Sequence, residues 1–448
     1  AFNFNDFMAG GVDARTGLYT CSLSLGALVS SGLNGPELPI NLSFNPLGGD
    51  TGLGKGWSLA LSRYDVLSQT LSLANGEVFN AIETPTVLVF EDMKLEHLKA
   101  QVLALGRYRL TYKNGQREEL ALYGTSSIAV SRQLFAANGA SFSFEYELSN
   151  DQPVLCQVSD ARRVLLSIRR QVHQVTLTQY PGSAHEAVYT LSLSEGLLTG
   201  ITLPTGEKWA LKYEVFDGAP YVVVVDSPLG AREVIGYKAI GQQMPNGSFD
   251  SIRSVSTHTI HPGQGQQPLT KTYKFSDTNF LGFGAGIDGS ERGDALYRIA
   301  GRYQYTSTER LMAGGKVHSS TVRTYNKFHL LVSEVSTSGD FRLLSEIEYH
   351  ELPSKSFSEQ PAQLRLPKIQ TLTYQNLSTG QSRKEVTYTD YDVAGNLLRK
   401  VEPSGITVLS TFYPAEGAQG CPADPMGFVR FERERTVIPA PGFAAAPT

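Results

Sequence analysis

His258 and His261, in the run His-Thr-Ile-His, come nearest in type and spacing to metal chemistry. Zinc catalysis needs about three protein ligands on a fixed frame, usually with a carboxylate base beside them. His185 or His318 would have to complete the set, and no Glu follows the first His. The pair stands beside Pro262-Gly263-Gln264-Gly265, so a solvated loop is the expectation. The adjacent acids Glu118-Glu119 and Glu91-Asp92 have the types of a glycosidase acid and nucleophile. Neighbours on a strand point to opposite faces, which separates each pair. Gly49 to Lys55 meets the phosphate-loop spacing Gly-x-x-x-x-Gly-Lys. Gly56, however, stands where Ser or Thr would hold magnesium, and strand-like WSLALSRYD follows where a helix is required. Turn glycines between strands are the reading there, and no catalytic, metal or cofactor site is assigned.

Other residue classes narrow the field. Cys21, Cys156 and Cys421 are odd in number and far apart, giving neither a disulfide framework nor a Cys-x-x-Cys metal site. Free thiols fit synthesis in a reducing cytosol and are compatible with later export of a folded chain. The net charge of −4 comes without a basic tail or stripe, which argues against nucleic acid as a partner. The densest basic stretch, RRVLLSIRR from Arg162 to Arg170, reads as a buried strand with solvated ends. No apolar run reaches the roughly 18 residues that span a bilayer as a helix.

The elements that must position these residues are strands. The chain has 448 residues, 41% of them hydrophobic, and its 43 Gly, 21 Tyr and 21 Phe favour turns and strands over helices. Asn75-Gly76, Asn114-Gly115 and Asn138-Gly139 each precede an alternating segment, and Asn-Gly supplies the two positive-φ residues of a tight hairpin. Later units change the turn but keep the plan, as in LPTGEKWALKYE, DSPLGAREVIGY and TSGDFRLLSEIEY. In the first of these Trp209, Leu211 and Tyr213 share one face, and Lys208, Lys212 and Glu214 the other. Only Glu91 to Leu105, with Leu95, Leu98, Val102 and Leu105 three or four apart, has a helical spacing, and its flanks read as strands. The expected fold is all-β, with repeated antiparallel hairpins stacked into one spiralling sheet.

The repeat is clearest in TDYDVAGNLLRK, Thr389 to Lys400, where Tyr391-Asp392 is followed by Gly395-Asn396 and a strand. Pro403-Ser404-Gly405 then turns the chain back toward Tyr413. Together with GVDARTGLYT (Gly11 to Thr20), GLGKGWSLALSRYD (Gly52 to Asp65) and FLGFG (Phe280 to Gly284), this run resembles the Rhs and YD-repeat family. The FLGFG segment also resembles the B component of bacterial insecticidal toxin complexes, a relative built on the same repeat.

The resemblance implies a β-ribbon wound into a hollow cage that holds a toxic C-terminal polypeptide until delivery, without enzymatic activity or cofactor. Three parts follow from it: an N-terminal β segment or cap (1–70), degenerate hairpin repeats (71–380), and a YD-type unit opening further repeats (381–448). Tyr391, Asp392, Gly395, Asn396, Gly405 and Tyr413 are the repeat-motif residues, with a structural role. Tyr388, Tyr391, Phe412 and Tyr413 would pack between adjacent hairpins. With one strong YD unit, at its end, the chain looks like the N-terminal portion of a larger protein. The implied partners are a toxin cargo and a secretion or toxin-complex component, and the implied route runs from the bacterial cytoplasm to a target cell. Family shells end in a self-cleavage region bearing Asp-Pro-x-Gly. Asp424-Pro425-Met426-Gly427 shares those letters but lacks the small-residue run after them, and reads as a turn. The competing expectation is a carbohydrate-binding or adhesive β-module, which requires aromatic side chains on a solvent face and glycans as partners.

Overall fold

Alternation along the first strands decides which face is buried. In the computed structural model, which describes residues 8–32, 35–245, 251–289, 293–443, 446 and 448, the strands Met8–Val12, Tyr19–Val29, Glu37–Phe44 and Trp57–Leu59 form an antiparallel sheet in chain order. Tyr19, Cys21, Leu23 and Leu25 point to the same side as Leu38, Ile40, Leu42 and Phe44, and all are buried. That side packs on a long stretch of the second sheet, including Phe142, Leu166, Leu177, Trp209 and Val225, in one continuous core.

The second sheet has 28 strands, from Arg63–Asp65 to Glu432–Ile438. Nearly every strand pairs antiparallel with the next in sequence, so hairpin follows hairpin. The one detour is a small separate hairpin, Gln242–Gln243 with Ser251–Ile252, and across it Arg232–Tyr237 pairs with Val255–His261. The strand Ile128–Phe135 has a forked edge. Its residues 128–130 pair with Arg63–Asp65, while Gln133, Leu134 and Phe135 pair with Ser141–Ser149. The fork closes the first eight strands into a circuit, whose thinnest link is the bridge between Val87 and Gln101. Eight strands leave an interior just wide enough for side chains to fill. Tyr64, Leu71, Phe79, Tyr108, Leu110 and Leu120 fill it.

The Asn-Gly hairpins turn differently from the expectation. Gly76, Gly115 and Gly139 have φ near +88°, while the Asn before each does not. Each Asn instead accepts the N–H two residues on, from Glu77, Gln116 and Ala140. The glycine N–H donates three residues back, as from Gly76 to Leu73, and Leu73 in turn donates to Glu77. This is a turn of ordinary hand followed by one left-handed residue, so only the glycine needs positive φ. The helical spacing over Glu91 to Leu105 makes no helix, in keeping with its strand-like flanks. Leu98–Ala104 is a strand of the circuit, because Leu98, Ala100 and Val102 alternate inward against Tyr108 and Leu110. Among the described residues the only helices are two short 3-10 turns, Ala295–Arg298 and Ala362–Arg365, and no helix is long and apolar enough to cross a membrane.

The loop that fits phosphate-loop spacing is a docking strap. Lys55 donates its N–H to Gly196 O at 2.9 Å and its ammonium to Gly218 O, while Arg170 donates to Gly52 O. A Cβ on Gly54 would lie 2.9 Å from Leu198 N, at a φ of +101°. Gly54→Ala is expected to cost about 2 kcal/mol, through strain and a clash with backbone. Gly206→Ala, at φ +90° in open space, is expected to cost about 1 kcal/mol. Urea-unfolding midpoints of the two variants measure the difference, and equal midpoints would rule out close docking at Gly54.

Candidate functional site

Four segments that look unrelated in sequence fold into one turn. Asn279 accepts N–H groups from Leu281 and Phe283, Asn326 from Phe328 and Leu330, Asp392 from Ala394 and Asn396, and Asp424 from Met426 and Phe428. In each, the fourth residue has positive φ: Gly282, His329, Gly395 and Gly427. FLGFG, DVAGN and DPMG are therefore one device, an Asx side chain bonded to the backbone two and four residues on. Asn-Lys-Phe-His-Leu is a fourth copy, hidden in the sequence because His stands where Gly does elsewhere.

These turns gather at one end of the ribbon, and those at Asn326, Asp392 and Asp424 are fastened by cations, with Lys94 and Lys113 reaching in from the circuit. Lys113 donates to Ala394 O and Asn396 Oδ1, both at 2.7 Å, and Arg430 bridges Asp424 and the Lys113 carbonyl. Lys94 donates to the carbonyls of Ser358 and Gln360 and lies over the Phe357 ring. Lys327, only 3% exposed, donates to Ile299, Ala300 and Lys355 carbonyls. Burial pushes all three ammonium groups below the ordinary lysine range. Carbonyl oxygens at a turn tip lack ladder partners, and a lysine with three donors satisfies two or three at once.

Of the repeat-motif residues, Tyr391, Asp392, Gly395 and Asn396 come together in one of these turns. Asn396 is buried and ties Asp392 to Val429 O of the next turn. Gly405 lies in the following hairpin at φ +87°, a Cβ there meeting Pro441 Cδ at 3.0 Å. Tyr413 is separate, its N–H on Phe431 O and its ring under Arg433. Tyr391 meets His350 edge-on, but Tyr388 is exposed rather than packed between hairpins, because it sits where the sheet is uncovered.

The chemistry candidates are placed as follows. His258 is not in a solvated loop. It lies on the strand Val255–His261, 4% exposed, with Nε2 2.7 Å from Glu233, which also accepts from the Tyr19 hydroxyl. The Pro-Gly pair begins only after His261, so it does not reach this side chain. His261 is exposed, and no three metal-ligating side chains cluster among the described residues. A similar chain runs from Asp294 through His329 to the Tyr305 hydroxyl. Burial pushes Tyr19, Tyr305 and the Cys21 thiol up, toward neutral forms and away from nucleophiles. The three thiols are free.

Glu118 and Glu119 do point apart, as a strand requires. Glu119 pairs with Arg109 at 2.7 Å. Glu118 is buried beside the fork, accepting from Tyr112 and Ser131, and Ser62 also hydrogen-bonds it. Among the described residues no cation pairs with it, and burial raises its carboxyl above the ordinary value. Glu118 falls on the face of Leu120, so an acid on an apolar face was the signal that could have found it.

No family model matches the chain, and no curated protein matches it in sequence. Among solved structures it is similar to a chain of the TcdB2-TccC3 crystal structure, with 10% identity and a TM-score of 0.33, over 98% of this chain and 37% of that one. It is similar, at 10% identity and a TM-score of 0.25, to a chain of the Photorhabdus luminescens Tc holotoxin pore, covering 93% of this chain and 24% of that one. It is also similar to the N-terminal domain of effector protein SpvB from Salmonella typhimurium strain LT2, at 12% identity and a TM-score of 0.18, covering 74% and 94%. The chain thus spans well under two thirds of the toxin-complex chains. At these TM-scores the likeness bears on neither fold nor function.

Lys113→Ala is expected to destabilise by about 1–3 kcal/mol, since it leaves the Ala394 carbonyl without its partner. Amide exchange should quicken from 392 to 396 and not at Gly206, and unchanged exchange there would exclude the clamp. A carboxyl raised by folding stabilises fully below its unfolded value, and that contribution is lost as pH rises through the folded value. Glu118→Gln should therefore raise the melting temperature at pH 7.5, with the gain vanishing near pH 4. A pH-independent change would show that Glu118 is not the charged, uncompensated group.

Proposed function

We propose that this chain is a wall segment of a larger shell of the Rhs and YD-repeat kind, which encloses a toxic polypeptide and acts by containment and delivery, not catalysis. One observation carries the reading. From Gln304 onward the ribbon is a single layer, and nearly every strand position is half-buried or exposed, as in Leu331–Ser338, Phe341–Tyr349 and Ser382–Tyr391. A sheet in a globular domain buries one face against another layer. A wall between a lumen and outside solvent covers neither, and depends on lateral pairing and fixed strand ends. Both features occur in this ribbon.

In this reading the protein is made in a bacterial cytoplasm, exported and carried to a target cell, with its cargo and a delivery component as partners. These points rest on the sequence resemblance. It needs neither cofactor nor nucleic acid.

Electron cryomicroscopy of the native product, purified from the producing bacterium, tests the reading. The expected result is a closed hollow particle with residues 304–438 in its wall and an extra polypeptide inside. A solid or open particle, with this ribbon against solvent on both sides and nothing enclosed, would overturn it.

A further inference from the structure

We propose that the place where the ribbon returns to the circuit is a joint that opens and recloses while both sides stay folded. Residues 94–117 of the circuit form one side, and residues 356–430, with the turns at Asp392 and Asp424, form the other. The contacts between them are polar or cationic. Lys94 reaches the Ser358 and Gln360 carbonyls, Lys113 reaches Ala394 and Asn396, and Arg430 reaches back to the Lys113 carbonyl. Even the two aromatic rings at the joint meet cations from across it, Phe357 under Lys94 and Phe428 under Lys99.

Two kinds of fastening that hold the rest of the molecule do not cross this joint. Among the described residues no hydrophobic cluster spans it: the circuit core stays within its own strands, and the clusters around Leu296 and Phe328 stay on the ribbon side. Nor does a described strand of the circuit pair with one beyond Gln304. The opening sheet, by contrast, shares one continuous core with the long sheet. A cavity of about 300 Å³ lies between the circuit wall and the Asp424 turn, with Thr111, Arg117, Met426 and Phe428 in its lining. The two sides touch without interlocking.

Regions with few buried apolar contacts open at a lower free energy than the whole domain, and a polar interface within one chain permits relative motion. Water can satisfy each ammonium group and each carbonyl once they part, so opening loses little beyond the exchange of partners. Thr111 marks the surface that opening uncovers. It stands with Arg109 on the outer wall of the circuit, 5% exposed, its hydroxyl without a hydrogen-bond partner among the described residues. The inference concerns this joint alone and does not rest on the shell reading. In a wall, such a joint is a seam.

The test is thiol labelling of the whole chain with a nitrobenzoate disulfide reagent. Cys156→Ser and Cys421→Ser remove the two less buried thiols, and Thr111→Cys supplies a reporter of nearly the same size that gives up no hydrogen bond. Cys21, buried in the core under the opening sheet, remains as the reporter of global unfolding. The residue 111 thiol is expected to react about a hundred-fold faster than Cys21, at a rate nearly flat in urea below the unfolding transition. Lys113→Ala should speed it about ten-fold and leave Cys21 unchanged. Lys99→Met, which removes only the cation over Phe428 and a contact to Glu96 on its own side, should act in the same direction and serves where Lys113→Ala fails to fold. Three results would overturn the proposal: equal rates at the two thiols, a residue 111 rate indifferent to both lysine substitutions, or acceleration of both thiols alike.

Discussion

A β-sheet satisfies its own backbone but cannot cover its own faces, and this constraint organises the molecule. The chain answers it in three ways. The opening sheet, Met8 to Leu59, lies across the stretch from Phe142 to Tyr273 and buries one side of both. The first eight strands of the long sheet curl until the fork at Ile128–Phe135 closes them, so their inner face is covered by its own opposite wall. From Gln304 the face is left open, and order is held from the ends, by the cation-clamped turns and the Phe328, Phe357 and Leu364 cluster beside them.

Hydrophobic burial therefore declines along the chain while polar fastening increases. In the first half Trp57, Tyr64, Tyr108 and Phe142 are fully buried. In the second half the buried groups are more often Lys327, Asn326, Gln360, Asn396 and Asp424, each held by side-chain hydrogen bonds to backbone. Such groups are costly to bury singly, and each is tolerable here because a turn leaves carbonyl and N–H groups that need partners. A ribbon fastened in this way keeps its strand ends fixed while its surface stays wet.

The strands were legible in the sequence because alternation is a local property. Trp209 and Leu211 are buried and Lys208, Lys212 and Glu214 face solvent, as the spacing requires. The turn glycines were legible for the same reason, although Asn75, Asn114 and Asn138 proved to be hydrogen-bond acceptors and not left-handed residues. What stayed hidden depends on distant partners. Nothing near Lys113 in sequence announces Ala394, and nothing near His258 announces Tyr19. Helical spacing at Leu95, Leu98 and Val102 left that stretch ambiguous, and the pairing edge of Arg107–Tyr112, which the local pattern does not show, makes it a strand. The shared turn at Asn279, Asn326, Asp392 and Asp424 lay between these extremes. Its pattern is short and present in the sequence, but one copy replaces the glycine with His329.

The forked strand also bears on the order of assembly. Half of its edge at Ile128–Phe135 belongs to a segment made earlier and half to one made later. On a ribosome the circuit can close once residue 135 has emerged, before any later hairpin exists. The remaining half-edge then presents Gln133, Leu134 and Phe135 as a template with fixed register. Each new hairpin copies that register onto the next, so a growing chain has one seed and one direction of growth. A long repetitive sheet with many near-equivalent pairings could otherwise start anywhere and slip, and the fork removes that freedom at the first step.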